Sequence, residues 1–504
     1  MPAEQIAYVA YPEAVMYEQP VPGSTRGKKA VQHLIWGDWL SIQEAQGNWR
    51  RVKSRGQTGW LHQDSLQSER VLEVNFVDIG QGDGCLIVTP EDRFILVDAG
   101  AGDNMVRFLR WRFGHFRKAI TFEAAVITHP DADHYYGFKP LLDDEMVRFQ
   151  TIYHNGIVER APDVLIRAGA ASGFGPTWQD PASGQTYLTD VVADLAALRR
   201  IVGDPARVDK LQYPLMLKAA ADSGRVGDIR MLCADDGYVP GYEAGKALSI
   251  QVLAPIPQPG PAGERALRWF VNDGKTKNGN SILLRLVYRD VSVILGGDLN
   301  IPAEEYLLSQ TTGLPLPAAT EADEQAVVAA ARRTFEADVL KACHHGSADF
   351  TDVFLRAVNP LAVVVSSGDA EPHCHPRPDT LGALGKNSRG SRPLIFSIEL
   401  ARSSEENIKH PYELRQRFLE LQRAVTEAQT AEQKQKAQRQ FERAVEQLER
   451  SVAVYGMICL RTDGHRVLFA QKLERPRSKS QKWDLHRLEP GADGRLRYVS
   501  EFEG

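Results

Sequence analysis

Thr128-His129-Pro130-Asp131-Ala132-Asp133-His134 follows directly on the apolar run AAVI. The H-x-D-x-D-H spacing places four imidazole or carboxylate donors within six residues, at what reads as a strand end. Alternate residues of an extended loop converge on one side, so this loop can hold two metal ions close together. Mixed imidazole and carboxylate ligands suit Zn²⁺ or Mn²⁺. Adjacent carboxylates do not both ionise cheaply at close range, and divalent ions supply the counter-charge. Three further segments repeat the pattern of apolar run and then donor. Leu295-Gly296-Gly297-Asp298 ends VSVIL, and Asp298 can bridge two ions through its two oxygens. VLKACHHGS brings His344 and His345, with Lys341 and Ser347 as candidate substrate contacts. His375-Pro376 comes shortly after LAVVVSSG. A single donor at a turn is ordinarily a capping or surface residue; four separate segments each delivering Asp or His are not.

These donors need a scaffold that brings strand ends together. VLEVNFVDIG, CLIVTP and FILVDAG, then the helical DNMVRFLRWRFGHF, then AAVITH give a β-β-β-α-β order typical of a layered α/β domain. The β pattern resumes in SILLRLVYRDVSVILGGDL, VLKACHH and LAVVVSSG. Between them, residues 160–275 are richer in Gly, Pro and Ala and read as an insertion. It contains one helix, LTDVVADLAALRRIV, and a loop around APIPQPGPAGE. Residues 1–68 stand apart: Trp36, Trp39, Trp49 and Trp60 are four of the eight tryptophans and sit in short β runs punctuated by G-D, G-N and R-G-Q-T-G. Such spacing predicts hairpins of a small barrel. Over residues 401–453, Leu414, Phe418, Leu421, Val425 and Ala428, and then Phe441, Val445, Leu448 and Val452, step by four and three along a helical seam. The polar QTAEQKQKAQRQ between them is either the turn of a helical hairpin or the middle of one long helix. The seam either self-associates or packs on the catalytic domain. The tail, 454–504, carries hairpin signals at Asp463-Gly464 and Asp493-Gly494.

HPDADH, GGD, KxCHHGS and the HP element, with VDIGQGDG and ILVDAG upstream, resemble the metallo-β-lactamase fold. More narrowly, they resemble the soluble catalytic domain of the ComEC/Rec2 DNA-uptake family. The resemblance covers about residues 72–385; this chain lacks that family's membrane channel. It implies an αββα sandwich, class α/β, over residues 69–400, with metals at one edge between the sheets. GDWLSI, GNWRRV and GQTGWLH resemble a bacterial SH3-type domain over about residues 20–66. Carried over position by position, the resemblance gives His129 and Asp131 to a first metal, and Asp133 and His134 to a second. Asp298 bridges them, and His344 or His345 completes the second site; we take His344 as the ligand, leaving His345, His375 and Asp133 for catalysis. No histidine lies between His154 and His344, so the family's remaining imidazole ligand is absent, and Asn278 or Asn280 stands in its place. His154 is a rival. Asp83, Asp98 and Asn280 are expected to orient the ligands.

The resemblance therefore implies two divalent ions, Zn or Mn, and hydrolysis of a phosphodiester by a metal-activated water, with nucleic acid as first-choice substrate. The composition sets limits on this. The 504 residues carry 60 Lys+Arg against 65 Asp+Glu, a formal charge of −5, so any DNA-binding surface must be a local basic strip. Arg475, Arg477, Lys479, Lys482, Arg50, Arg51 and Lys53 are candidates. Five scattered cysteines without a CxxC pair argue against a disulfide framework. The N-terminal run lacks a signal-peptide pattern and no apolar stretch reaches membrane-spanning length, so a cytoplasmic chain without membrane contact is expected. Two alternatives remain: a small-molecule phosphoester or lactone hydrolase, and an interaction protein whose SH3-like and 403–450 segments recruit a protein partner, as in a multi-protein defence-like system.

Overall fold

The computed structural model describes residues 5–20, 29–161, 173–368, 373–398, 411–473, 476 and 478–500. Two sheets pack face to face. The first runs, in spatial order, Val226–Met231, Val147–His154, Ile120–Ile127, Phe94–Ala99, Gly84–Val88, Leu72–Phe76, Ile458–Thr462, Val467–Lys472, Trp483–Pro490 and Leu496–Val499. The second runs Leu248–Ala254, Leu283–Tyr288, Val291–Leu295, Val339–Lys341, Ala362–Val365 and Leu394–Ser397. Neighbours from Phe94–Ala99 to Val226–Met231 in the first sheet, and from Val291–Leu295 to Leu394–Ser397 in the second, are parallel. Strands covered on both faces need uninterrupted apolar runs, and AAVI, VSVIL and AVVV supply them.

Successive side chains point to opposite faces of a strand, and the packing follows that rule. Ile95 and Val97 face the second sheet and meet a core that includes Ile250, Leu284, Val293 and Val364. Leu96 faces outward, into a core shared with Phe108, Leu198 and Leu217 of the helices Asn104–Arg112, Leu195–Val202 and Gln212–Asp222. On the far side, Ile294, Leu340 and Val363 pack with Leu307, Val327, Phe354 and Leu384 of Ile301–Thr312, Glu321–Phe335, Asp352–Val358 and Pro378–Asn387. The result is a helix–sheet–sheet–helix sandwich.

Residues 160–275 are less of an insertion than the composition suggests. Val226–Met231 is an edge strand of the first sheet and Leu248–Ala254 an edge strand of the second. The former reads VGDIRM, with polar residues on its open side, so it shows no apolar run. A small sheet built from Thr177–Gln179, Thr186–Leu188, Arg265–Arg268 and Gln258–Pro259 accounts for part of the remainder. The expected helix begins only at Leu195, because the Asp194 carboxylate accepts from Ala197 N at 2.7 Å and caps it there, a contact worth about 1 kcal/mol.

The tail is not a separate element either. Ile458–Thr462 pairs antiparallel with Leu72–Phe76, so the hairpins extend the first sheet. Pro411–Glu427 and Ala431–Tyr455 are two helices of a hairpin, with the second N-capped by Thr430 and Gln433 in a capping box. Phe418 and Phe441 meet edge-on across it at 5.9 Å. At the other end, seven strands from Gln5–Val9 to Leu66–Gln67 form an antiparallel sheet with its own core of Val9, Met16, Leu34, Leu40, Val52 and Leu61. Trp36 and Trp60 are buried, whereas Trp39 is 39% exposed. Arg461 of the first large sheet pairs with Asp38 at 2.9 Å and Glu73 at 3.2 Å, which ties the small sheet to the sandwich. Among the described residues no helix is long and apolar enough to cross a membrane.

Candidate metal centre

The carboxyl ends of the parallel strands in both sheets open at one edge, the place where layered α/β proteins ordinarily bind ligands. Ile120–Ile127 runs into a turn carrying His129 and then, where an extended loop is expected, into the short helix Ala132–Tyr135, which has Asp131 as its N-cap and carries Asp133 and His134. Val291–Leu295 leads to Asp298, Val339–Lys341 to His344 and His345, and Ala362–Val365 to Ser366. Side chains from both sheets therefore converge on Asp298. Its carboxylate lies 3.4 Å from His134 Nε2, 3.2 Å from His345 Nε2 and 3.8 Å from His129 Nε2. Asp133 closes the front, 3.4 Å from His345 Nε2 and 3.9 Å from His134 Nε2. His129, His134, His345 and Asp298 are all buried.

Two features of the backbone make this convergence feasible. Gly82 has φ +104°, and a Cβ there would lie 1.8 Å from Asp133 O, so only glycine lets the 80–84 loop support the H-x-D-x-D-H loop. His344 and His345 both adopt left-handed φ, 52° and 55°, a cost of about 1–3 kcal/mol each for non-glycine residues that is characteristic of functional sites.

The hydrogen bonding shows what the cluster requires. His134 Nδ1 faces Asp98 Oδ2 at 2.8 Å, and His345 Nδ1 faces the Ser366 carbonyl at 3.0 Å. Both Nδ1 atoms therefore donate, which leaves two Nε2 lone pairs facing one another at 3.3 Å. Asp298 Oδ1 and His129 Nε2 are buried in the same place with no hydrogen-bond partner. With neutral rings, two lone pairs and a carboxylate oxygen meet at one point, and such an imidazole–carboxylate donor set fits a divalent metal. The field of the carboxylates favours positive charge at the same place, carried by a metal or by ring protons. Burial opposes charge on His134 and His345, yet the surrounding carboxylates, Asp298 first, raise both well above the ordinary histidine range. Burial likewise works against Asp298, and the two imidazoles hold it well below the usual carboxylate range.

Other expected residues fall around this centre. Asp98 accepts from Thr128 N at 2.8 Å and Thr128 Oγ1 at 2.7 Å as well as from His134, and so fixes that ring. Asp83 lies behind the imidazoles, 3.4 Å from His345 Nδ1 and paired with the Lys341 ammonium. Asp131 lies 3.5 Å from His129 Nε2. His344 and His375 stand at the rim, 5.9 Å apart ring to ring.

Several expectations need correction. His345, not His344, points its Nε2 into the cluster; His344 Nε2 is 4.0 Å from Asp298 and its side chain is 22% exposed. Lys341 does not face substrate: it is buried, held by Asp83 and by the Gly296 carbonyl at 3.0 Å. Ser347 Oγ accepts from Asp349 N at 3.3 Å within its own turn. Asn280 turns away, its amide donating to Thr276 O and Arg268 O at 2.8 and 2.9 Å. Asn278 is the one at the site: with its amide turned so that nitrogen and oxygen both find partners, it donates to Asp131 Oδ2 at 2.9 Å. His154 is buried with Nδ1 accepting from Gly156 N, and burial lowers it to about 4; it makes no contact with the cluster. Of the basic candidates, Lys482 donates to Gln32 at 2.7 Å and Arg50 to Gly47 O at 2.7 Å, both remote from the centre, while Arg475 and Arg477 lie outside the described residues. Lys277 and Gln81 were not anticipated. Gln81 Nε2 reaches Asp133 at 3.4 Å. Lys277 contacts Asp131, in a polar GKTKNGN run that reads as a loop.

Fold and site together define a four-layer α/β protein with a buried histidine–aspartate centre. No family model matches the chain, and no curated protein matches it. Solved structures with remote similarity include Tm1679, described as a metal-dependent hydrolase of the β-lactamase superfamily, at 14% identity, covering 65% of this chain and 95% of that one with a TM-score of 0.29. They also include a variant of the CmlA β-hydroxylase (10%, 66% and 54%, TM-score 0.29). A third is MEM-A1, a subclass B3 metallo-β-lactamase isolated from a soil metagenome library (14%, 56% and 80%, TM-score 0.23).

Proposed function

We propose that this chain is a metal-dependent hydrolase of the metallo-β-lactamase fold that cleaves phosphodiesters, with DNA as its first-choice substrate. The observation that carries the reading is the meeting of His134 Nε2, His345 Nε2, Asp133 and Asp298 at the strand ends of both sheets. These four residues would hold one divalent ion, Zn²⁺ or Mn²⁺; His129, Asp131 and Asp298 outline a second position. Such an ion supplies Lewis acidity, which acidifies water and offsets charge on a phosphoryl group. The protein's own part is to hold the donors rigid. Asp98 and the Ser366 carbonyl fix the two imidazoles with Nε2 inward, and the double left-handed turn points His345 in and His344 out. Burial keeps His344 below the usual histidine range, so it would meet a substrate as a neutral imidazole, able to accept a proton from an attacking water or to hydrogen-bond a phosphoryl oxygen. His375 stands beside it.

The motif order HPDADH, GGD, KxCHHGS and HP supports the ComEC/Rec2-like substrate class. The SH3-like reading of the N-terminal sheet rests on its tryptophan and glycine spacing; that sheet and the helical hairpin are the surfaces through which a protein partner or a second copy would bind. The test is incubation of the purified chain with plasmid, single-stranded DNA, RNA and bis-p-nitrophenyl phosphate, with Mn²⁺ or Zn²⁺ added. Cleavage that needs the metal and disappears in Asp133→Ala is expected. Cleavage of a lactone or a small phosphoester alone would move the substrate class, and no hydrolysis of any ester would sink the reading.

A further inference from the structure

Asp131 and Asp133 stand two residues apart, Asp131 as the N-cap of the short helix Ala132–Tyr135 and Asp133 inside it, but have different partners. Asp133 has no lysine or arginine partner among the described residues; its oxygens face His134, His345 and Gln81. Both oxygens of Asp131 are already engaged by the chain. Oδ1 takes the Lys277 ammonium; Oδ2 faces His129 Nε2 at 3.5 Å and, with the Asn278 amide turned as above, accepts from it at 2.9 Å. Lys277 is anchored from a second side, 3.7 Å from Glu159 Oε1. Its place is set by the short helix Asp273–Gly279, which Asn272 caps by accepting from Lys275 N at 2.9 Å and which puts Lys277 in its last turn. The lysine side chain is 19% exposed, so it lies at the mouth of the centre and not behind it.

A divalent ion bound by His129, Asp131 and Asp298 would have to share the Asp131 carboxylate with an ammonium already seated there, and like charges at that range repel. No such conflict exists on the Asp133 side. We propose that the Lys277 ammonium takes the place of the second cation: the chain binds one divalent ion, among Asp133, His134, Asp298 and His345, and presents Lys277 to the substrate's phosphoryl group on the His129 side. A lysine suits that task as a compact point charge that needs no ligand of its own from solution. The proposal rests on the metal-hydrolase reading above.

The experiment is a calorimetric titration of the metal-free full chain with Zn²⁺ and, separately, with Mn²⁺. Equivalents are counted relative to a His129→Ala/His134→Ala double variant, which corrects for adventitious surface binding. The wild type is expected to take one equivalent, Lys277→Arg one, and Lys277→Met two, because removing the ammonium frees Asp131. Two equivalents in the wild type would overturn the proposal while leaving the metal-hydrolase reading intact. One equivalent in a folded Lys277→Met chain would also overturn it, since something other than Lys277 would then exclude the second ion. No binding by folded wild type would overturn the metal-hydrolase reading itself, and this proposal with it. If Lys277→Met does not fold, Lys277→Gln takes its place in the count, with two equivalents expected and one overturning the proposal.

Discussion

Two lysine–aspartate pairs flank the centre, and they do different work. Lys341 and Asp83 lie behind the imidazoles, with side chains only 6% and 7% exposed, and Lys341 spends a further hydrogen bond on the Gly296 carbonyl. Lys277 and Asp131 lie at the mouth, 19% and 28% exposed. Burial disfavours charge at all four groups, yet each partner reverses it. Asp83 is pulled below its ordinary range chiefly by Lys341, and Lys341 is raised in return. Asp131 is drawn down to about 2 by His129 and Lys277. The rear pair is part of the floor that holds His345; on the proposal above, the front pair is part of what a substrate would meet. The same residue types would then serve architecture in one place and chemistry in the other, with depth deciding which.

That contrast can be broken most forcefully at the residue both sides share. Asp298→Ala removes the carboxylate common to His129, His134 and His345, and its loss of hydrolysis should exceed the roughly 10–100-fold that follows removal of an outer partner of a metal ligand. Steady-state rates on bis-p-nitrophenyl phosphate check this. At the rear, Lys341→Met leaves buried Asp83 without its ammonium partner, so the chain should lose about 3–5 kcal/mol of stability in urea unfolding. At the mouth, Lys277→Met should cost within about 1 kcal/mol, because that pair is partly solvated. Equal losses from the two variants would erase the distinction. Asp98→Asn should lower metal affinity or turnover by about 10–100-fold, since it weakens the acceptor that fixes His134, while leaving the fold intact by circular dichroism.

Glu304 sharpens the comparison as a buried carboxylate with no lysine. It accepts from Thr351 N at 2.6 Å and Thr351 Oγ1 at 2.8 Å, and burial pushes it up to about 8. Its folded value lies above its ordinary 4.5, so the native chain keeps a proton that the unfolded chain has released. The stability this contributes is fully present below 4.5 and is lost as pH rises through about 8. Glu304→Gln should flatten that fall, which melting temperatures measured across the window will show.

The donors that line the centre were legible because they terminate apolar strands, and strand ends at one edge of a sandwich must meet. His129, Asp133, His134 and Asp298 belong to that set. The assignment within His344-His345 was not legible: adjacent residues point apart, and two successive left-handed conformations decide which ring enters. Lys341 looked accessible because a lysine ordinarily is, but position 341 ends a central strand facing Asp83. Lys277 lay in a polar run with no periodicity to place it. Val226–Met231 escaped notice as an edge strand whose open face is polar. Pattern identified the elements that are buried on both faces, and it failed where one face is open or where a turn, not a period, sets direction.

The central claim is that the histidine–aspartate cluster is a hydrolytic metal centre. Its most direct test is bis-p-nitrophenyl phosphate hydrolysis by the full chain before chelation, after chelation and after reloading with Mn²⁺ or Zn²⁺. Activity should vanish with the metal and return with it, in the wild type and not in Asp298→Ala. Hydrolysis that survives chelation, or that Asp298→Ala retains, would contradict the account.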